Sequence, residues 1–148
     1  MQIMIPSQAG TYLTVRDSGL DVVLARLSFQ EQPPPGAVPV STQNCVIAFS
    51  RKCTHMGCYL LPESAAETKL PDPSGLVRCP CHSSCFDVLK KGLVAGGPAT
   101  EWLPIRELRP VLDSTGLVTR VELLGWCRWG SVGRGVPYGG TDAKPDGV

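Results

Sequence analysis

Two short segments concentrate the residues of this chain that can do chemistry. Residues 53–58 read CTHMGC and residues 79–86 read CPCHSSCF, and between them they hold both of the chain's histidines and most of its seven cysteines. Thiolates and neutral imidazoles are metal ligands, and a Cys–His pairing that recurs in two segments points to one shared centre. Cys53 and His55 are two apart, so in an extended segment both side chains point the same way. Cys79 and His82 are three apart and need a turn, which Pro80 helps to make.

A structural zinc site with two Cys and two His satisfies tetrahedral geometry. Its familiar spacings, however, pair Cys with Cys and His with His rather than mixing them within each segment. A zinc-stabilised binding module is therefore the weaker reading. Unrelated buried thiols with two surface histidines would leave the repeated pairing without a cause.

The elements that must position these residues read as strands. Thr11 to Arg16, Val22 to Phe29, Cys45 to Phe49, Leu76 to Cys79, Phe86 to Leu89, Trp102 to Leu108 and Leu117 to Leu124 are rich in Val, Leu, Ile and aromatics, and Asp-Ser-Gly, Pro-Ser-Gly and Lys-Lys-Gly turn signals bound them. The implied class is all-β, an antiparallel sandwich or barrel. Only Glu63 to Lys69 reads as helix, with Pro62 placed to start it and Pro71 to stop it. Gln32 to Pro39, QPPPGAVP, reads as a stiff extended connector. The 125–148 segment is Gly-rich yet carries Trp126, Trp129 and Tyr138, aromatics that call for a surface to lie against.

At 148 residues the chain is one domain's worth, large enough to bury a core without a metal. Charged residues are 18% of the chain, the formal net charge is +1, and no run of like charge occurs, so nothing argues for nucleic acid or anionic lipid as a partner. No apolar run is long enough to span a membrane, which leaves membrane contact to partner subunits or to an anchor removed from the chain.

With the two segments in place, the sequence resembles the Rieske iron–sulfur proteins, whose signature C-T-H-x-G-C followed by C-P-C-H-x-S is matched at every defined position. The resemblance covers about Ala48 to Leu108, including Gly97-Pro98-Ala99, which is similar to the proline loop that covers the family's cluster. It implies a 2Fe-2S cluster with Cys53 and Cys79 on one iron and His55 and His82 on the other. It also implies an antiparallel sandwich with a small cluster-binding subdomain at one end. That gives a Rieske domain over residues 1–124, with cluster loops at about 50–60 and 78–99, and an extension over 125–148.

The closest branch by resemblance is that of cytochrome bc-type complexes, where the two remaining box cysteines form a disulfide; here these are Cys58 and Cys81. Ser84 falls where the family has a hydroxyl donating to a cluster sulfide. Phe86 stands where high-potential members have a tyrosine, Met56 shields the cluster, and His82 is the position for a quinol contact. Cys45, Cys85 and Cys127 have no place in the pattern, and Cys85 reads as a small, partly buried loop residue.

Two neutral imidazoles in place of two thiolates make the oxidised centre formally neutral, so reduction is easier than in an all-Cys ferredoxin. The implied role is one-electron transfer within an oxidoreductase complex of the quinol–cytochrome c reductase type. Its partners would be quinol, cytochrome b and a c-type cytochrome or another electron acceptor. The small subunit of a molybdenum oxidoreductase of the arsenite oxidase kind is the alternative. A Rieske oxygenase needs further histidines for a mononuclear iron, and both histidines are already spent. The disulfide fits the periplasm or the outer face of an energy-transducing membrane, whereas three thiols outside the motif fit the cytoplasm. The two motif positions carry more weight.

Overall fold

The computed structural model describes residues 1–30, 32–54 and 57–127. His55, Met56, Trp129, Tyr138 and all of the 128–148 segment lie outside them. The described residues form eleven strands: β1 Gln2–Met4, β2 Thr11–Asp17, β3 Leu20–Ser28, β4 Val38–Pro39, β5 Asn44–Ser50, β6 Thr68–Lys69, β7 Leu76–Arg78, β8 Cys85–Asp87, β9 Leu93–Gly96, β10 Ile105–Leu112 and β11 Val118–Trp126. The larger sheet runs β1-β11-β10-β5-β3-β2-β6, with β4 also paired to β5, and the smaller runs β7-β8-β9. Every pairing is antiparallel. The all-β class expected from the sequence is what the chain adopts.

Alternation along β3 and β5 divides the core. Val22, Leu24, Val46 and Ala48 face one apolar cluster, which β1, β4 and β11 close with Ile3, Val38 and Val121. Val23, Ala25, Leu27, Ile47 and Phe49 face the other. This period of two is the pleat made visible, and it explains why CVIAF is apolar throughout: β5 is buried on both faces. The second cluster takes in Cys53, Leu60, Leu61, Val77, Cys79, Phe86, Val88, Ala99 and Leu103, so the small sheet and its loops share a core with the large one. Burial of each such Leu, Val or Phe side chain stabilises the arrangement by about 1.5–3 kcal/mol.

Glu63 to Lys69 is not a helix. Two turns between prolines offer too few bonds to repay helix nucleation, and the segment finds partners on β2 instead. Thr14 N donates to Ser64 O at 2.7 Å, Ser64 N donates to Thr14 Oγ1 at 2.9 Å, and Thr68–Lys69 adds β6 to the β2 edge. The Phe86–Leu89 strand also stops early. Asp87 Oδ1 accepts the Leu89 amide at 3.0 Å and caps a 3-10 turn over Val88–Lys90. Trp102 to Pro104 precede β10 because Leu103 N donates to Gly92 O and Pro104 O accepts from Ser50 N. The connector at 32–39 ends in β4, with Val38 buried against Val46. Strand β11 runs two residues beyond Leu124, and the Trp126 ring packs half-buried beneath the Arg106 guanidinium at 5.2 Å.

Candidate metal centre

Strand β5 carries the chain straight from the core into the first Cys/His loop, and β7 and β8 bracket the second. The two loops are built alike. Cys53 N donates to Cys58 O at 2.7 Å and Gly57 N to Cys53 O at 2.9 Å. In the second, Cys79 N donates to Ser84 O at 2.7 Å and Ser83 N to Cys79 O at 3.0 Å. Each loop is thus opened by a buried cysteine, and the residue four positions on lies at positive φ: Gly57 at 74° and Ser83 at 61°. Glycine accepts that conformation without cost, whereas a residue with a Cβ gives up roughly 1–2 kcal/mol there.

A disulfide between Cys58 and Cys81, with Cα atoms 6.5 Å apart, ties one loop to the other. Cys53 and Cys79 are fully buried at 0% and 1% exposure, while Cys81 and His82 lie exposed at the tip. The sulfurs of Cys58, Cys79 and Cys81 all lie within 4.8 Å of one another. One thiol of the first segment and two of the second thus come together, and the exposed His82 follows Cys81 in the same loop.

A third loop closes over the site. Ala99 N donates to Ser84 Oγ at 3.1 Å, and the Ser84 side chain is fully buried. Because that bond uses the oxygen as acceptor, the hydroxyl proton remains to be given elsewhere. Thr54 Oγ1 donates to Glu101 O at 2.6 Å, fastening the first loop to the same segment. Gly97, at φ +81°, approaches so closely that a Cβ there would lie 2.5 Å from Ser84 Cα. Pro98 beside it is exposed and Ala99 buried. Phe86 is fully buried in the apolar cluster that contains Cys53 and Cys79.

Arg51 is a functional neighbour that sequence reasoning missed. It is buried, donates to Leu61 O at 2.8 Å and Asp21 Oδ2 at 3.1 Å, and lies 4.0 Å from the Tyr59 ring centroid. It clamps the segment after the first loop onto β3, and its signal was hidden because FSRKC carries no local pattern that marks a buried arginine. Cys85 opens β8 rather than sitting in a loop, and it lines a cavity of about 280 Å³ with Leu60, Leu70 and Val77. Cys45 and Cys127 are buried in the domain, and burial pushes both thiols up to about 11, with Glu107 adding to the effect at Cys127.

Comparison with known proteins agrees with this layout. Residues 6–107 match the model of the Rieske [2Fe-2S] domain. Over 59 residues the chain is 42% identical to iodate reductase subunit IdrB of Pseudomonas sp. (strain SCT), covering 40% of this chain and 28% of that subunit. Over 86 residues it is 36% identical to the cytochrome bc1 complex Rieske iron–sulfur subunit of Corynebacterium glutamicum, covering 55% of this chain and 19% of that one. The matched segment is thus under a third of either relative's length. In fold, the chain is similar to the soluble domain of the Rieske protein II (soxF) from Sulfolobus acidocaldarius, with a TM-score of 0.52 and 21% identity, covering 88% of this chain and 76% of that one.

Proposed function

Because the chain belongs to the Rieske [2Fe-2S] family, we propose that Cys53 and Cys79 hold one iron of its cluster and His55 and His82 the other, and that it serves as the iron–sulfur component of a quinol-oxidising cytochrome bc-type complex. Electron transfer through a [2Fe-2S] cluster follows from the family itself. When bound, the cluster supplies a one-electron centre whose potential is raised by its imidazole ligands.

The donor set fits such a group. Two buried thiols, each opening a loop of the same build, suit thiolate ligands shielded from water, and the exposed His82 suits a ligand at the outer edge. The residues around them have separable tasks. The disulfide and the Thr54–Glu101 bond hold the loops in register, the buried Ser84 keeps a hydroxyl proton to give to the cluster, and the exposed His82 is the residue assigned to meet a quinol. Among the described residues no helix is long and apolar enough to cross a membrane.

The observation that carries the bc-type reading is the Cys58–Cys81 disulfide joining the two loops beneath an exposed tip. It also supports placement on the oxidising side of an energy-transducing membrane. The similarity to an iodate reductase subunit favours a second reading, a subunit of a reductase complex other than a bc-type one, for which the small subunit of a molybdenum oxidoreductase is the form we consider. Copurification from native membranes and extracts separates the two: a b-type cytochrome supports the first reading, and a molybdopterin subunit in its place overturns it.

A further inference from the structure

Cys79 has a second chemistry within reach. We propose that it exchanges with the Cys58–Cys81 disulfide whenever iron does not hold it, forming Cys58–Cys79 and a Cys81 thiol, so that the disulfide's position gates cluster binding. The proposal rests on the reading of Cys79 as a cluster ligand.

Its ground is the clustering of the three sulfurs within 4.8 Å of one another. Thiol–disulfide exchange needs a thiolate that can reach a disulfide sulfur, and a leaving sulfur that is well accommodated once expelled. The three differ in exposure in the useful order: Cys79 buried, Cys58 half-buried, Cys81 exposed. Attack on Cys58 therefore expels the sulfur that water solvates best. The product still joins the two loops. Attack on Cys81 would expel the half-buried Cys58, close a small ring across Pro80 and cut the loops apart.

The step balances without an outside oxidant. Cys79 loses its proton, its sulfur bonds to Cys58 as the Cys58–Cys81 bond breaks, and the departing electron pair on Cys81 takes up a proton. One disulfide and one thiol enter, and one of each leaves. The exchanged isomer has spent a ligand sulfur and cannot receive a cluster until Cys81 attacks Cys58 in return or a dithiol reduces the bond. A chain that has lost its cluster is thereby locked shut with its interior thiol protected from further oxidation.

The test uses the full chain, stripped of its cluster by a chelator with no thiol reductant present and checked for its fold by circular dichroism. It is then acid-quenched, alkylated with N-ethylmaleimide and mapped by mass spectrometry. The Cys58–Cys79 peptide should rise roughly tenfold over an identically treated sample that kept its cluster, with Cys81 newly alkylated. Finding only Cys58–Cys81 in the folded, stripped chain overturns the proposal. A second arm does not depend on the stripped chain folding: Cys81→Ser, treated with oxidised glutathione, should form Cys58–Cys79 and bind less iron than the Cys58→Ser/Cys81→Ser double variant, with dithiothreitol restoring it. Equal iron in the two variants overturns the proposal as well. Failure of the ligand reading shows separately, as a Cys79→Ser chain that keeps its full iron and sulfide.

Discussion

The amide of Ala99 donates to the buried Ser84 hydroxyl oxygen at 3.1 Å, joining the proline loop to the second Cys/His loop and leaving the hydroxyl proton to be given elsewhere. A proton aimed at a cluster sulfur stabilises the more negative, reduced state. Hydrogen bonds to charged groups contribute about 1.5–3 kcal/mol, which for one electron corresponds to about 60–130 mV. Ser84→Ala should lower the midpoint potential by up to that amount, measured by redox titration with the visible spectrum. An unchanged potential in a folded variant means the proton goes elsewhere.

Phe86 shares its buried cluster with Cys53 and Cys79 and brings no hydroxyl. Phe86→Tyr should raise the potential by some tens of millivolts at a pH where the histidines do not titrate, because the new hydroxyl can donate to a ligand sulfur. A potential that stays put, with the hydroxyl in reach of either sulfur, speaks against this role.

Removing the disulfide should loosen the site without abolishing it. Its two ends are 23 residues apart, and closing a loop of that size constrains the unfolded chain by about 3 kcal/mol. Cys58→Ser/Cys81→Ser should still form a cluster and lose it several-fold faster under chelator, followed by bleaching of the visible bands. Equal loss rates in the two proteins would show the cross-link to be idle.

Gly97 and Gly96 form a matched pair. A Cβ at Gly97 would meet Ser84 Cα at 2.5 Å and Ser83 O at 2.7 Å from a backbone at φ +81°, whereas a Cβ at Gly96 meets nothing within 4 Å. Gly97→Ala should cost about 1–3 kcal/mol and lift the proline loop off the site. Gly96→Ala should be close to neutral. Thermal melts of the two variants check the contrast.

The buried thiols of Cys45 and Cys127 give a pH dependence with a definite sign. Both are pushed up from 9.0 to about 11, so the folded chain holds these protons more tightly than the unfolded one. Their contribution is whole below about pH 9 and is lost as the pH rises toward 11. The melting temperature should fall across that window, and Cys45→Ala/Cys127→Ala should flatten the fall. A double variant with an undiminished alkaline slope would place its source in other groups.

Much of this was legible in the sequence because the informative features are local. The alternating YLTVR and the uniformly apolar CVIAF both read as strands from local residues alone, and the two Cys/His boxes carry their own turn chemistry in Gly57 and Pro80. The rest depends on contacts between distant residues. Thr14 claims Ser64 across the β2 edge and unmakes a helix that local signals favoured, and Asp87 ends a strand by capping a turn. Arg51 has meaning only beside Asp21 and Leu61, and the Thr54–Glu101 and Ser84–Ala99 bonds join segments that no short window contains. Residues short in sequence and alone in type, such as those of β1 and β9, gave no period to read.

The ligand assignment is open to one direct reading. Pulsed electron paramagnetic resonance of the dithionite-reduced chain, beside iron and acid-labile sulfide analysis, should give equal iron and sulfide and two strongly coupled nitrogens. On the proposed assignment these nitrogens should belong to the imidazoles of His55 and His82, and the intact signal should disappear in His55→Ala and in His82→Ala. A reduced centre with no strongly coupled nitrogen, a colourless zinc protein, or an unaltered signal in either histidine variant would contradict the assignment of Cys53, His55, Cys79 and His82 as the ligands of one cluster.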